Sequence, residues 1–313
     1  MEHTRNTGRM ERREMLRGSA LTLLGGIFWG LAGVFGKYSF EYKGVTAQWL
    51  VSVRLVVAGL LLLSTVFIKQ KKEAFRVWRN GRDAVRMILF GVIGIACCQM
   101  TYYMAVDESN AGIATVLQYT APVMIMVYLA IRNRKMPTGT EMTALVLAFG
   151  GTFLLATHGN LTELTMSRLT LILGLASAVA TVFYNLLPGN LMNEYGTFAI
   201  VGWGMLVSGI GLCAVIRPWE MIGTIIWDWQ TVLCVTTVII LGTVLSFGTY
   251  MEGVRLIGAS RASLFASVEP LTATVASVLF MNVAFSGMDV AGFAGIIAAV
   301  VILSMPKKEE THG

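Results

Sequence analysis

Two ionisable residues, Glu269 and Arg54, lie deep inside long apolar stretches of the chain. At 1.5 Å per helical residue, Glu269 is about 15 Å from one end of its stretch, and Arg54 is about 12 Å from the nearer end. A charge at such depth in hydrocarbon is costly and usually binds an ion or solute, or pairs with another charge. Glu269 could exchange a proton or hold an amine, and Arg54 could attract a carboxylate. The alternative role is structural: Arg54 and Glu269 could pair with each other, or Glu269 could hold the ninth helix in place through a pair with another group.

Polar and aromatic side chains recur at helical spacing within several of the long apolar stretches. Trp29 and Lys37 share one face of the first stretch, and Tyr184 and Asn185 share one face of the sixth. The other members are Gln99, Tyr102 and Tyr103 in the third stretch, Gln118 and Tyr119 in the fourth, and Ser246 and Tyr250 in the eighth. Such faces turn away from hydrocarbon, so they either line a central cavity or pack helix against helix. Lys37 and Arg54 could also snorkel along their helices.

The elements that must position these residues follow from composition. Of the 313 residues, 55% are hydrophobic and 13% are charged, against about 25% charged residues in soluble domains. Mean hydropathy is +0.68. A soluble domain, a disordered chain and a disulfide scaffold are therefore excluded. The four cysteines lie in apolar runs without metal-ligand spacing, so we expect them to be small buried hydrophobes.

Ten apolar runs are long enough to cross a bilayer as helices. They cover residues 18–40, 46–68, 84–105, 110–131, 138–157, 168–189, 197–216, 231–254, 259–281 and 287–304. The runs are almost continuously apolar, whereas strands of a membrane barrel would alternate polar and apolar residues. The sequence therefore predicts an all-α integral membrane protein with ten transmembrane helices.

Lysine and arginine predict the orientation of these helices. With a cytoplasmic N-terminus, 19 of the 24 cations fall in the tails and loops on the cytoplasmic side. We therefore expect cytoplasmic tails at 1–17 and 305–313 and a multi-pass protein of the cell membrane. The net charge of +6 then reflects topology and contact with anionic lipid head groups, and predicts no nucleic-acid partner. We expect Glu252 to form an ion pair with Arg255, three residues further along its helix.

An internal repeat relates the two halves of the chain. A shift of 148 residues superposes Tyr102-Tyr103-Met104-Ala105-Val106 on Tyr250-Met251-Glu252-Gly253-Val254, and Pro122 on Pro270. The repeats at 18–157 and 168–304 each hold five helices, an odd number, so they enter the membrane with opposite polarity. Secondary transporters use such inverted repeats for alternating access about a midplane site. The matched prolines could be hinges or static kinks.

Small residues in the first stretch predict close packing. Gly26 and Gly30 are four residues apart and Gly33 continues the series. A face of this kind lets a second helix approach closely. We therefore expect the glycines of the first helix to serve helix packing.

The chain resembles the EamA family of the drug/metabolite transporter superfamily over roughly residues 18–304. The resemblance rests on Gly25-Gly26-Ile27-Phe28-Trp29-Gly30, on Arg54-Leu55, and on Ser267-Val268-Glu269-Pro270-Leu271, together with the two five-helix halves. It implies a ten-helix carrier of small metabolites, often amino acids or related compounds, and often an exporter. The Gly-Glu pair that commonly follows the fourth and ninth helices of the family is replaced by Ile131-Arg132-Asn133 and Met281-Asn282-Val283.

The function predicted is secondary active transport of a small-molecule solute through a central cavity, with a proton or another ion as a possible coupling partner. The histidines His3, His158 and His312 lie outside the predicted helices, so no metal site is expected. The chain has no Gly-x-x-x-x-Gly-Lys phosphate loop, which argues against ATP as an energy source, and we expect no cofactor and no enzymatic activity. A non-transporting sensor or scaffold, or an enzyme using Glu269 as acid or base, remains the alternative.

Overall fold

The computed structural model describes residues 2–108, 111–157, 167–281 and 286–304, and its described regular structure is helical throughout. Ten segments are long and apolar enough to span a membrane, which confirms the predicted fold class. We number them α1 to α10. They are Arg13–Tyr42, Ala47–Lys69, Gly81–Val106, Ile113–Asn133, Gly139–Thr157, Arg168–Tyr195, Thr197–Ile216, Trp229–Ile257, Ala259–Phe280 and Gly287–Ser304.

The helix that contains α1 begins at Glu2, so most of the segment predicted as an N-terminal tail continues the first spanning helix. The predicted tail at 305–313 lies outside the described residues. Between α2 and α3, the basic segment Lys71–Arg79 forms a 3₁₀ helix. We call this end of the bundle the basic face because it exposes Lys69, Lys71, Arg79, Arg82 and Arg134.

Small residues bring neighbouring helices together. In α2, a Cβ on Gly59 would lie 3.0 Å from the carbonyl oxygen of Gly202 in α7. In α5, a Cβ on Gly151 would lie 2.7 Å from the carbonyl oxygen of Gly292 in α10. A Cβ on Gly292 would likewise lie 2.8 Å from the carbonyl oxygen of Gly151. Since lipid tails are as apolar as leucine, helices in a membrane associate mainly through such close packing and hydrogen bonds.

Helices α3 and α8 each contain a π-helical stretch, at Phe90–Ala96 and Ile240–Leu245. The repeat shift of 148 carries the first onto residues 238–244, so the two stretches are matched within two residues. A π stretch holds extra residues in its turns and re-aims the side chains that follow. The stretches precede Cys97–Glu108 and Ser246–Ile257, the segments that carry the candidate residues of these helices.

Helices α4 and α9 are each interrupted near the middle. In α4 the break separates the helical segments Ala111–Gln118 and Ala121–Asn133, and in α9 it separates Ala259–Phe265 and Val268–Met281. The two breaks correspond under the same shift within one residue. Pro122 and Pro270 lie in the first turn of the second segment, where a missing N–H is best tolerated. Discontinuous helices at membrane depth are a usual way to build a site in a transporter.

Polar contacts lie near both ends of the α2–α7 pair. At the end opposite the basic face, Lys43 Nζ lies 2.6 Å from Asp228 Oδ2 and 2.5 Å from Gln230 Oε1. At the basic face, the Tyr195 hydroxyl donates to Asp83 Oδ2 at 2.8 Å. The first set of contacts joins the α1–α2 loop to the α7–α8 loop and the start of α8, and the second joins the end of α6 to the start of α3.

Candidate functional site

Arg54 lies in a polar cluster formed by α2 and α3. Its side chain is buried, Nη2 donates to Gln99 Oε1, and its guanidinium carbon is 5.4 Å from the ring centroid of Tyr103. Gln99 and Tyr103 are one turn apart in the segment after the π stretch, so both reach the same guanidinium. Arg54 Nε is buried without a hydrogen-bond partner in the described part of the chain. The cluster thus fixes the plane of a cation that still has a free donor.

Glu269 lies at the start of the second segment of α9, next to the helix break. Its carboxylate contacts Tyr119, whose hydroxyl is 3.3 Å from Glu269 Oε2 and 3.0 Å from the carbonyl oxygen of Ala266. The N-terminal end of a helical segment favours a negative charge there. Within the described residues Arg54 and Glu269 form no ion pair within 4.0 Å, so the alternative in which these two charges pair with each other is not realised in this structure.

A cysteine connects the helices between these two charges. Cys98 is buried, its Sγ lies 3.2 Å from Thr181 Oγ1, and it accepts a hydrogen bond from Gln118 Nε2 at 3.6 Å. The hydroxyls of Tyr102 and Thr115 are 3.0 Å apart. The sequence indicated Gln118 and Tyr102, but it gave no signal for Cys98 beyond an apolar run. Its neighbour Cys97 is exposed, in contrast to the prediction that all four cysteines are buried.

A layer of aromatic rings packs together beside the polar residues of α1, α6 and α8. Trp29 lies 4.9 Å from Tyr250 and 5.0 Å from Phe247, and Tyr184 stacks on Tyr250 at 6.0 Å between centroids. The Tyr250 hydroxyl donates to Asn185 Oδ1 at 2.6 Å. This layer therefore joins α1, α6 and α8 through side chains from both repeats.

Two polar atoms in this region are buried without a hydrogen-bond partner in the described part of the chain, the Tyr184 hydroxyl and Ser246 Oγ. Tyr184, Asn185, Ser246 and Tyr250 are all buried, whereas Gln99, Tyr119 and Glu269 are only half-buried. Gln99, Tyr119 and Glu269 are therefore more accessible than the aromatic layer, whereas Arg54 is as buried as Tyr184.

Gly33 departs from the packing role predicted for it. A Cβ on Gly30 would meet the backbone of α9 at Glu269 and Ala273, as expected, but a Cβ on Gly33 would meet nothing within 4 Å. Gly33 is exposed and lies one turn beyond Trp29 on the same face of α1. The first helix thus packs against α9 at Gly30 and leaves open space at Gly33.

Lys37 is not part of the cluster. Its side chain is exposed and lies 3.6 Å from Glu41, four residues further along α1. Glu252 forms the predicted local ion pair, with its Oε1 at 2.6 Å from Arg255 Nη2. Lys37 and Glu252 thus lie apart from the cluster around Arg54 and Glu269.

The loop pair of Lys43 and Asp228 lies outside the spanning segments. Hydrogen bonds from the Lys43 ammonium and from the backbone N–H of Thr231 lower the pKa of Asp228 to about 2. The bond to Asp228 raises the pKa of Lys43 above its ordinary value. Both shifts favour the charged pair over a wide range of pH.

Ten helices, a two-fold internal repeat and a polar cluster around broken helices define a multi-pass membrane protein of the transporter type. The chain belongs to the EamA-like transporter family, whose model matches residues 16–157 and 168–305.

Curated relatives cover nearly the full chain. It is 33% identical over 298 residues to the "Uncharacterized inner membrane transporter YicL" of Salmonella typhimurium, covering 95% of this chain and 98% of that one. It is 23% identical to the "Threonine/homoserine exporter RhtA" of the same species, covering 82% and 79%. One crystal structure shares the fold with a TM-score of 0.76 at 14% identity, covering 91% of this chain and 95% of that one.

Proposed function

We propose that the protein is a secondary active transporter that exports small organic metabolites, such as amino acids or related compounds, by alternating access about the site between Arg54 and Glu269. The observation that carries this proposal is that a carboxylate and a guanidinium are held deep in the bundle without neutralising each other. Charges placed so deep are costly unless they act on a ligand, an ion or a proton.

The arrangement suits a solute with both an anionic and a cationic group. Arg54 offers an unpaired buried N–H to an anion, and Glu269 offers carboxylate oxygens to an amine. Trp29 and Tyr103 supply apolar walls beside these groups, and Gln118 lies within reach of the same region through Cys98. A few convergent polar groups among aromatic walls are usual for a small-molecule site.

The relatives support this class of solute. RhtA is named as a threonine/homoserine exporter, and it aligns with 82% of this chain. The excess of Lys and Arg at the basic face supports a cytoplasmic location of that face. The protein would then reside in the cell membrane with both termini in the cytoplasm.

Transport in proteoliposomes tests the proposal. The purified protein would be screened by thermal shift against amino acids and amines, because a ligand that binds the folded state raises its stability. The solutes found would then be assayed for flux with and without an imposed proton gradient. We expect the gradient to accelerate flux in the wild type and to have no effect in Glu269→Gln.

The matched control is Glu41→Gln, which removes an exposed carboxylate at the end of α1. It should transport as the wild type does. If Glu269→Gln responds to the gradient as strongly as Glu41→Gln, coupling through Glu269 is refuted. If no solute of the panel binds or moves, transport of this class of solutes is refuted.

A further inference from the structure

Tyr119 joins the two helix breaks of the repeats. It is itself the first residue of the break in α4, and its hydroxyl reaches the carbonyl oxygen of Ala266, in the break of α9, at 3.0 Å. The corresponding residue of the second repeat, Ser267, instead donates to Leu264 within its own helix at 2.6 Å. The contact across the breaks is therefore made by one repeat only.

The carbonyl of Ala266 is available to Tyr119 because of Pro270. In a continuous helix the N–H four residues later would donate to this oxygen, but proline has no N–H. The oxygen accepts instead from Glu269 N at 2.9 Å and keeps a second lone pair for Tyr119. The break, the proline and the tyrosine thus form one hydrogen-bonded unit.

The Tyr119 hydroxyl has two neighbours that can accept and one hydrogen to donate. Besides the Ala266 carbonyl oxygen it lies 3.3 Å from Glu269 Oε2. If Glu269 is protonated, its hydroxyl donates to the Tyr119 oxygen and the Tyr119 hydrogen stays on Ala266, so every hydrogen has an acceptor. If Glu269 is ionised, the carboxylate is the stronger acceptor and draws the Tyr119 hydrogen away from the carbonyl.

We propose that Tyr119 is a positioning residue that transmits the protonation state of Glu269 to the contact between the breaks of α4 and α9. A proton on Glu269 keeps Tyr119 on Ala266 and ties the two broken helices together. Loss of the proton turns Tyr119 toward the carboxylate and releases that contact. Ala266 keeps the bond from Glu269 N in both states, so release leaves no buried carbonyl without a partner.

Other groups around Glu269 do not make this contact. The titratable side chains that interact with it electrostatically are Cys98, Tyr102, Tyr119, Tyr184 and Tyr250. Tyr102 is hydrogen-bonded to Thr115 and Tyr250 to Asn185. Arg54, the charged residue of α2, is bonded to Gln99.

The charged groups on the helices packed against α9 lie at helix ends. Lys37 and Glu41 of α1 pair with each other, Glu141 of α5 pairs with Arg261, and Asp289 of α10 accepts from the backbone of Ser286. Among the described residues, Tyr119 is thus the hydroxyl that contacts the Glu269 carboxylate.

Amide hydrogen exchange of the full-length protein in lipid nanodiscs tests this inference, which rests on the proposed role of Glu269. Exchange of peptides covering residues 117–124 and 264–272 would be followed at acidic and alkaline pH and corrected for intrinsic exchange. The wild type should be more protected at acidic pH, by on the order of fivefold, the effect of one hydrogen bond.

Two variants should lose this pH dependence in opposite ways. Tyr119→Phe removes the hydroxyl and should show the low protection at both pH values. Glu269→Gln can donate from its amide to Tyr119, as the protonated acid does, and should show the high protection at both. Tyr102→Phe, which removes a hydroxyl from the same region, should behave as the wild type.

A wild-type pH dependence in either Tyr119→Phe or Glu269→Gln overturns the inference, and the second variant decides alone if the first does not fold. The proposed function fails separately. If Glu269→Gln loses proton-driven flux but Tyr119→Phe keeps the exchange pattern of the wild type, only the role of Tyr119 is refuted.

Discussion

Gly30 and Gly33 are three residues apart in α1 and offer a matched pair of substitutions. A Cβ on Gly30 would lie 2.5 Å from the carbonyl oxygen of Glu269 and 2.8 Å from the backbone nitrogen of Ala273. Both neighbours are backbone atoms of α9, so relief requires the two helices to separate by at least 0.5 Å. A Cβ on Gly33 would meet open space.

Overpacking of this kind costs about 1–3 kcal/mol. Replacement of glycine by alanine in a helix stabilises the folded state by about 1 kcal/mol, because alanine has the higher helix propensity. The gain applies to both variants, so the difference in unfolding free energy between Gly33→Ala and Gly30→Ala isolates the steric cost. We expect Gly30→Ala to be the less stable of the two by about 1–3 kcal/mol.

Unfolding in mixed micelles, followed by circular dichroism, measures this difference. Solute flux should follow the same order, because separation at Gly30 displaces Glu269 from Tyr119, whereas Gly33→Ala leaves that contact in place. Equal stability of the two variants would refute the close packing of α1 on α9 at the candidate site. Equal loss of flux with unequal stability would refute the link between this packing and Glu269.

Three further predictions concern the site and the loops. Arg54→Lys keeps the charge but loses the planar contact with Tyr103 and the donor to Gln99. Thermal shift should therefore show that carboxylate-bearing solutes bind more weakly, by on the order of tenfold. Arg217→Lys, which changes an exposed arginine in the same way, should leave this binding unchanged. Gln99→Cys should react with a water-soluble thiol reagent and Tyr250→Cys should not, because Gln99 is half-buried and Tyr250 is 3% exposed; the opposite order would contradict this difference in accessibility. The pKa of Asp228 is lowered from 3.8 to about 2, so its pairing with Lys43 stabilises the fold above pH 3.8 and is lost as the pH falls toward 2. Asp228→Asn should therefore be less stable than the wild type near neutral pH and should approach it near pH 2, and an unchanged gap in acid would contradict the pairing.

Most of the fold could be predicted from the sequence because membrane helices are specified locally. A run of about 20 apolar residues is sufficient for a crossing, since the backbone must satisfy its own hydrogen bonds in lipid. The pair formed by Glu252 and Arg255 could be predicted for the same reason, because its partners are three residues apart on one helix.

The π stretches in α3 and α8 could not be predicted in this way. Apolar residues of a buried helix show no periodicity that would reveal an inserted residue, and the stretches Phe90–Ala96 and Ile240–Leu245 are almost entirely apolar. The sequence indicated the helix breaks only in part, through Pro122 and Pro270. The prolines predicted a bend, but only the structure showed that each lies in the first turn of a new helical segment.

By itself, the sequence determined the membrane class, the ten helices, the repeat and the two deep charges, because composition and periodicity act within one helix. Only the tertiary structure decided the partners: Arg54 lies on Gln99 and Tyr103, Glu269 lies on Tyr119, and Cys98 connects α3 with α6. A buried polar group must find a partner, but which group is in reach depends on the packing of helices distant in the chain. That packing also left Gly33 open while it closed Gly30, although the two glycines are equivalent in the sequence pattern.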